Sequence, residues 1–281
     1  MIKEFPVIEN VDTLLISIWK LFHYSPRNYA IFQAIQESYG LKKLKFIRAA
    51  TTRWLSHGKS CVRLIDRYEQ VLDAIDASLD DKYVPEVYGL RHQLLDKPTV
   101  AMVLVLCDIL RLVINFSDYL QGENVFSDMH IRCGELIDQL HHLVVRFDVS
   151  VERPDQDLYL SRMETLFQVI DDRTALARRL RGPAMMTPRQ VVEEIAKPVT
   201  YALINEISDA FQCSPVLAAF SVFNLQKVPE NVAEISLYGE VSIKLMQCAT
   251  ATAESGLSDY LFCHFQRMIF ALKALKFLYL I

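Results

Sequence analysis

An all-α fold follows from three features of this 281-residue chain. Apolar residues recur at steps of three and four through nearly every segment, which is the period of one helix face. β-Branched alternation, the mark of a half-buried strand, is nearly absent. Only 8 glycines are present, few for a sheet-rich enzyme or a phosphate-loop protein. With 52% apolar residues, the chain can bury the core of one large helical domain or two small ones.

The elements are justified in chain order. Residues 10–23 and 26–39 read as two helices broken at "YSPRN", with Pro26 suited to a first turn and Gly40 to a C-terminal cap. "KFIRAAT" is the one place for a short strand or extended stretch. From Ser56, a plausible N-cap, the apolar stripe Val62, Leu64, Ile65, Tyr68, Val71, Leu72, Ile75 and Leu79 predicts a helix. Further helices are expected at about 85–95, 98–120, 125–147 and 155–181. Pro98 opens one of these and "QGEN" ends it. After the break "RGPAMMTPRQ" comes a helix near 189–212 that Pro198 should kink or divide. "SPVLAAFSVFNLQKVPENV" reads as an apolar connection with one short helix, followed by helices near 231–247 and 257–280. Three stretches result: 1–55, N-terminal helices and a basic segment; 56–256, a helical domain; 257–281, an apolar C-terminal helix, the expected start of a continuation. Nothing repeats internally.

The longest apolar run, "VAMVLVLCDILRLVINF", is interrupted by Asp108 and Arg111. It is too short and too charged for a good membrane span, so a buried core helix is expected. Six cysteines, none in a CxxC pair, sit mostly in apolar helical stretches, as free thiols do in a reduced compartment. No apolar leader is visible in "MIKEFPVIEN".

The net charge of -4 hides an asymmetry: residues 1–67 carry 11 Lys/Arg against 5 Asp/Glu. Residues 40–67 alone hold eight cations, Lys59 among them, and one acid. A basic approach to a helix N-terminus suits phosphate, because backbone N–H groups and the helix dipole add to the side-chain charge. Tryptophan beside arginine, at Arg53-Trp54, adds a stacking surface next to a phosphate clamp. On spacing alone the alternative stays open: Trp54 as a core anchor, with Arg53 capping a neighbour.

Catalytic arrangements are not found. The pairs Asp80-Asp81, Asp171-Asp172 and Glu193-Glu194 are adjacent in sequence, and i, i+1 side chains do not face each other on a helix. The seven histidines lack zinc-ligand spacing; His130 and Cys133, an i, i+3 pair, have no further ligands. There is no phosphate loop, dinucleotide fingerprint or nucleophile elbow. Ser56 beside His57 is poor geometry for a nucleophile and its base.

The stretch "SPRNYAIFQAIQESYGLKKLKFIRAATTRWLSHGKSCVRL" resembles the central region of hAT superfamily transposases, nearest to the zinc-finger-862-like, transposon-derived group. "LCDILRLVINFSDYLQ" and "YALINEISDAFQCSPVLAAFSVFNLQKVPE" also look familial, so the resemblance runs from about residue 10 to about 245. It implies the all-helical insertion domain of an RNase H-like transposase without the catalytic α/β core. In that family the tryptophan of the Arg-Trp motif stabilises a flipped base at the cut DNA end, and the resemblance maps that motif onto Arg53 and Trp54. The D-D-E triad and its Mg²⁺ belong to the core, so no enzyme activity, metal site or cofactor is expected of this chain. The finger, the two aspartate strands and the C-terminal dimerisation block of complete members are likewise not matched.

Two functions follow as expectations. One is a transposon-derived, nuclear, catalytically incomplete protein that binds DNA weakly through Arg53, Trp54 and Lys59. The other is a domesticated helical module that binds proteins through apolar faces such as 257–281 and has no nucleic-acid role. No membrane association is expected.

Overall fold

A computed structural model describes residues 5–49, 54–81, 84–120, 125–181, 186–210, 240–242 and 244. Every regular element among them is helical. The order is α1 (Pro6–His23), α2 (Pro26–Ser38), α3 (Trp54–Asp66), α4 (Tyr68–Asp81), α5 (Pro85–Leu94), α6 (Lys97–Leu120) and α7 (Val125–Ser150). A 3₁₀ turn (Tyr159–Arg162) leads into α8 (Met163–Arg181); α9 (Pro188–Val191), a π turn (Val192–Ala196) and α10 (Lys197–Ala210) follow. The expected helix near 257–280, the "SPVLAAF" connection, most of 231–247, "QGEN", and Cys213, Cys248 and Cys263 lie outside the described residues.

Helix α6 is the axis of the fold. It packs against α1, α3, α5, α7 and α8, and residues 99–110 are all buried. Its start is capped by Asp96, whose carboxylate accepts from the Thr99 N–H (3.1 Å) and hydroxyl (2.6 Å). Pro98 sits in the first turn, where its missing N–H costs nothing. By length and a mean hydropathy of 2.1 this helix could cross a membrane, but 78% of that window is buried inside the fold. It is a core helix. Truncating a fully buried side chain such as Leu104 would cost about 2–5 kcal/mol in lost burial and residual cavity.

Asp108 shows why a charge is tolerated in that run. It is buried, yet its two oxygens accept from the backbone N–H groups of Tyr159 (2.9 Å) and Leu160 (3.0 Å). It therefore caps the 3₁₀ turn from another element. This corrects the helix expected over 155–181, which begins at Met163. Asp155 instead forms a loop: it pairs with Arg146 and accepts from the Asp157 N–H. Arg146 holds its carboxyl below the usual range.

A second correction concerns residues 56–81. The apolar stripe is continuous, but the chain breaks at Arg67 into α3 and α4. The Arg67 N–H turns back to the Leu64 carbonyl, and its guanidinium donates to the Asp66 carbonyl at 2.9 Å. The two helices then serve different neighbours, α3 packing on α6 and α4 on α2 and α5. Helix starts also shift: α3 begins at Trp54, so Ser56 is helix interior rather than N-cap. Its carbonyl accepts from the Ser60 hydroxyl at 2.7 Å, an i, i+4 contact made inside a formed turn.

Pro26 and Gly40 act as read. Ser25 caps α2 by accepting from the Asn28 N–H, and Gly40 takes φ +66°, the left-handed region open to glycine. Pro198 divides its element. The Lys197 N–H bonds to the Val192 carbonyl five residues back, and α10 starts with the proline in its first turn.

Candidate nucleic-acid interface

Residues 41–49 form a strap with no regular secondary structure. Side chains from flanking helices hold this strap in place. Gln36, fully buried, accepts from the Leu44 N–H (2.9 Å) and donates to the Leu44 carbonyl (3.3 Å), so one amide replaces a neighbouring strand. Ser60 donates to the Ile47 carbonyl at 3.1 Å. Arg63 donates to the Lys45 carbonyl and Arg67 to the Lys42 carbonyl. Phe46 is the apolar anchor, with ring centroids 5.5 Å from Phe22 and 5.3 Å from Phe32. Because these contacts all face inward, Lys42, Lys43, Lys45 and Arg48 are left on the exposed side.

The "SHGK" stretch of α3 is mostly packing machinery. His57 is buried and lies 3.0 Å from the Asp12 carboxylate, joining α3 to α1. Gly58 faces α6 so closely that a Cβ there would lie 2.7 Å from Ile114 Cδ1 and 3.3 Å from Leu110 Cβ. Ser60 bridges the helix and the strap. Lys59 alone among residues 57–60 is exposed.

Of the cations between 40 and 67, then, several are engaged within the chain, Lys43 in a surface ion pair. Arg63 and Arg67 staple the strap, and Lys43 pairs with Glu37. Lys42, Lys45, Arg48 and Lys59 remain exposed along the strap and α3. Arg53 lies outside the described residues; Trp54 opens α3, but its side chain lies outside them too. The core-anchor and base-stacking readings of Trp54 therefore remain side by side.

No family model, curated protein or solved structure matches the chain.

Several other reactive groups among the described residues are engaged structurally. Asp171 pairs with Lys97 (2.7 Å), Asp172 accepts from Gln168, and Glu193 pairs with Lys197. Asp73 and Asp76 both bind Arg173, and Asp76 also binds Arg91. Cys61, Cys107 and Cys133 are buried and form no disulfide; burial, then the adjacent Cys61, pushes the Cys107 thiol well above its ordinary value, away from nucleophilic thiolate. Among the described residues no cluster of His, Cys, Asp and Glu could hold a metal ion.

Sequence spacing alone points to neither Gln36 nor the ring cluster where α1 meets α2. There Trp19 stacks on His23 with centroids 4.4 Å apart. The Arg48 guanidinium carbon lies 5.3 Å from the Trp19 ring centre, and Lys45 Nζ 5.6 Å from that of Tyr29. These aromatics come from α1 and α2, and only the fold of the strap brings the basic side chains to them.

Proposed function

We propose that this chain is a transposon-derived helical module of the hAT type that binds DNA weakly in the nucleus and does not itself cut it. The observation carrying this reading is the stapled strap. Inward hydrogen bonds hold its backbone, and Lys42, Lys45 and Arg48, with Lys59 beside them on α3, stand outward. Cations carried on a held backbone leave less chain to order on meeting phosphate, and phosphate contacts supply most non-specific DNA affinity. The resemblance at Arg53-Trp54 supports the same region and adds a stacking role. Two-metal strand transfer needs a carboxylate set, which in this reading belongs to a core domain elsewhere.

Binding of a fluorescent duplex at low salt tests it. Arg53→Ala, Trp54→Ala and Lys59→Ala should each weaken wild-type affinity, the tryptophan change by about 1–3 kcal/mol if it stacks on a base. Affinity unchanged in all three removes these residues from the interface. Robust hairpin formation or strand transfer with Mg²⁺ would overturn the non-catalytic part.

One observation favours the protein-interaction alternative. Ile131, Val145 and Val149 are exposed on one face of α7, at helical spacing. Glu135, Asp138 and His142 share that face, so it is a mixed surface rather than a broad apolar patch.

A further inference from the structure

The ring cluster at the α1–α2 corner has more aromatic surface than the core uses. Phe22 is buried and Phe46 packs on it, which accounts for those two. Trp19 is only half-buried, His23 is exposed, and Tyr24, edge-on to both, is 69% exposed. Trp19, His23, Tyr29, Lys45, Phe22 and Phe46 line a cleft of about 160 Å³. The Tyr29 ring is steadied by Gln33, whose amide donates to its hydroxyl at 2.9 Å. Lys45 and Arg48 rest over the rings on long, flexible stems.

A purely apolar ligand would have no use for the cations, and a cationic one would be repelled by them. An aromatic platform flanked by cations fits a base joined to phosphate, because every base offers a π-face and the backbone supplies the negative charge. The geometry points to this cleft as a seat for one unstacked nucleobase of single-stranded DNA. On binding, Lys45 and Arg48 swing off the ring faces they cover in the free chain, the base takes their place against Tyr29 and the Trp19 face opposite His23, and its flanking phosphates meet the two displaced cations. The inference rests on the DNA-binding reading and adds what charge alone does not give: a preference for unpaired over intact duplex DNA. It also places base contact at a second location, apart from Trp54 in sequence.

The test uses the full chain, a short oligothymidylate carrying one 2-aminopurine, and a duplex of the same length. In the wild type, 2-aminopurine fluorescence should be quenched on binding. Trp19→Ala and Tyr29→Ala should each weaken single-strand binding on the order of ten-fold and abolish the quenching. Their duplex affinity should change by less than about two-fold, and Trp19→Phe should retain most single-strand binding. Equal losses on both DNAs, or no loss on either, would overturn the cleft assignment and leave the DNA-binding reading standing. No binding of either DNA by the wild type would overturn both. If the alanine variants fail to fold by circular dichroism, wild-type quenching decides: unquenched bound oligonucleotide contradicts the cleft.

Discussion

Gly58 and Ile114 mark a close approach of α3 to α6: a Cβ on Gly58 would sit 2.7 Å from Ile114 Cδ1. The Ile114 methyl is the end of a side chain and can rotate. Leu110 Cβ, 3.3 Å away, is fixed to its backbone and cannot. Overpacking costs about 1–3 kcal/mol, while replacing glycine by alanine in a helix returns about 1 kcal/mol. Gly58→Ala should therefore lower stability by about 1 kcal/mol and Gly58→Val by more. Combining Gly58→Ala with Ile114→Ala should recover part of the first loss. Urea unfolding of the four-member cycle checks the coupling; strict additivity would contradict the crossing.

Gln36→Leu should release the strap. The substitution keeps most of the volume but leaves the Leu44 N–H and carbonyl without their partner. The expected loss is about 2–3 kcal/mol, the cost of orphaning partly buried backbone groups. Hydrogen exchange at Leu44 should accelerate far more than at the centre of α6. Uniform acceleration would mean that Gln36 supports the whole core rather than the strap.

Asp108 makes stability depend on pH in an unusual direction. Burial pushes its carboxyl up to about 6, against the opposing pull of the Tyr159 and Leu160 N–H donors. A folded-state value above the unfolded one means the native state holds the proton longer. The contribution is thus fully present below about pH 4 and is lost as pH rises through 6. The difference amounts to about 3 kcal/mol at most. Asp108→Asn keeps one acceptor and cannot ionise, so its stability should fall less than the wild type's between pH 4 and 6. Parallel curves would contradict the assignment.

Much of the helical framework is legible in the sequence because capping and periodicity are local. Ser25, Pro26 and Gly40 bound α2 through contacts within a few residues, and Pro98 and Pro198 act through their own backbones. The break at Arg67 is hidden because the apolar stripe continues across it; what ends α3 is a side chain bonding to carbonyls. The late start of α8 is hidden because Asp108, far away in sequence, takes the 3₁₀ turn's N–H groups. At the candidate interface, the density of cations is plain, but their division is not. Arg63 and Arg67 look like Lys42 and Lys45 in sequence, yet they turn inward because each has a strap carbonyl within reach. His57 and Gly58, beside the Arg53-Trp54 pair in sequence, serve the α1 and α6 contacts.

The salt dependence of duplex binding tests the strap most directly. Lys42, Lys45, Arg48 and Lys59 are exposed, and with one phosphate each the slope of log K against log salt should be roughly -3 to -4. Lys42→Gln combined with Lys45→Gln should flatten that slope by about 2 while leaving the fold intact. A wild-type slope near zero, or an unchanged slope in the double variant, would contradict a DNA-facing strap.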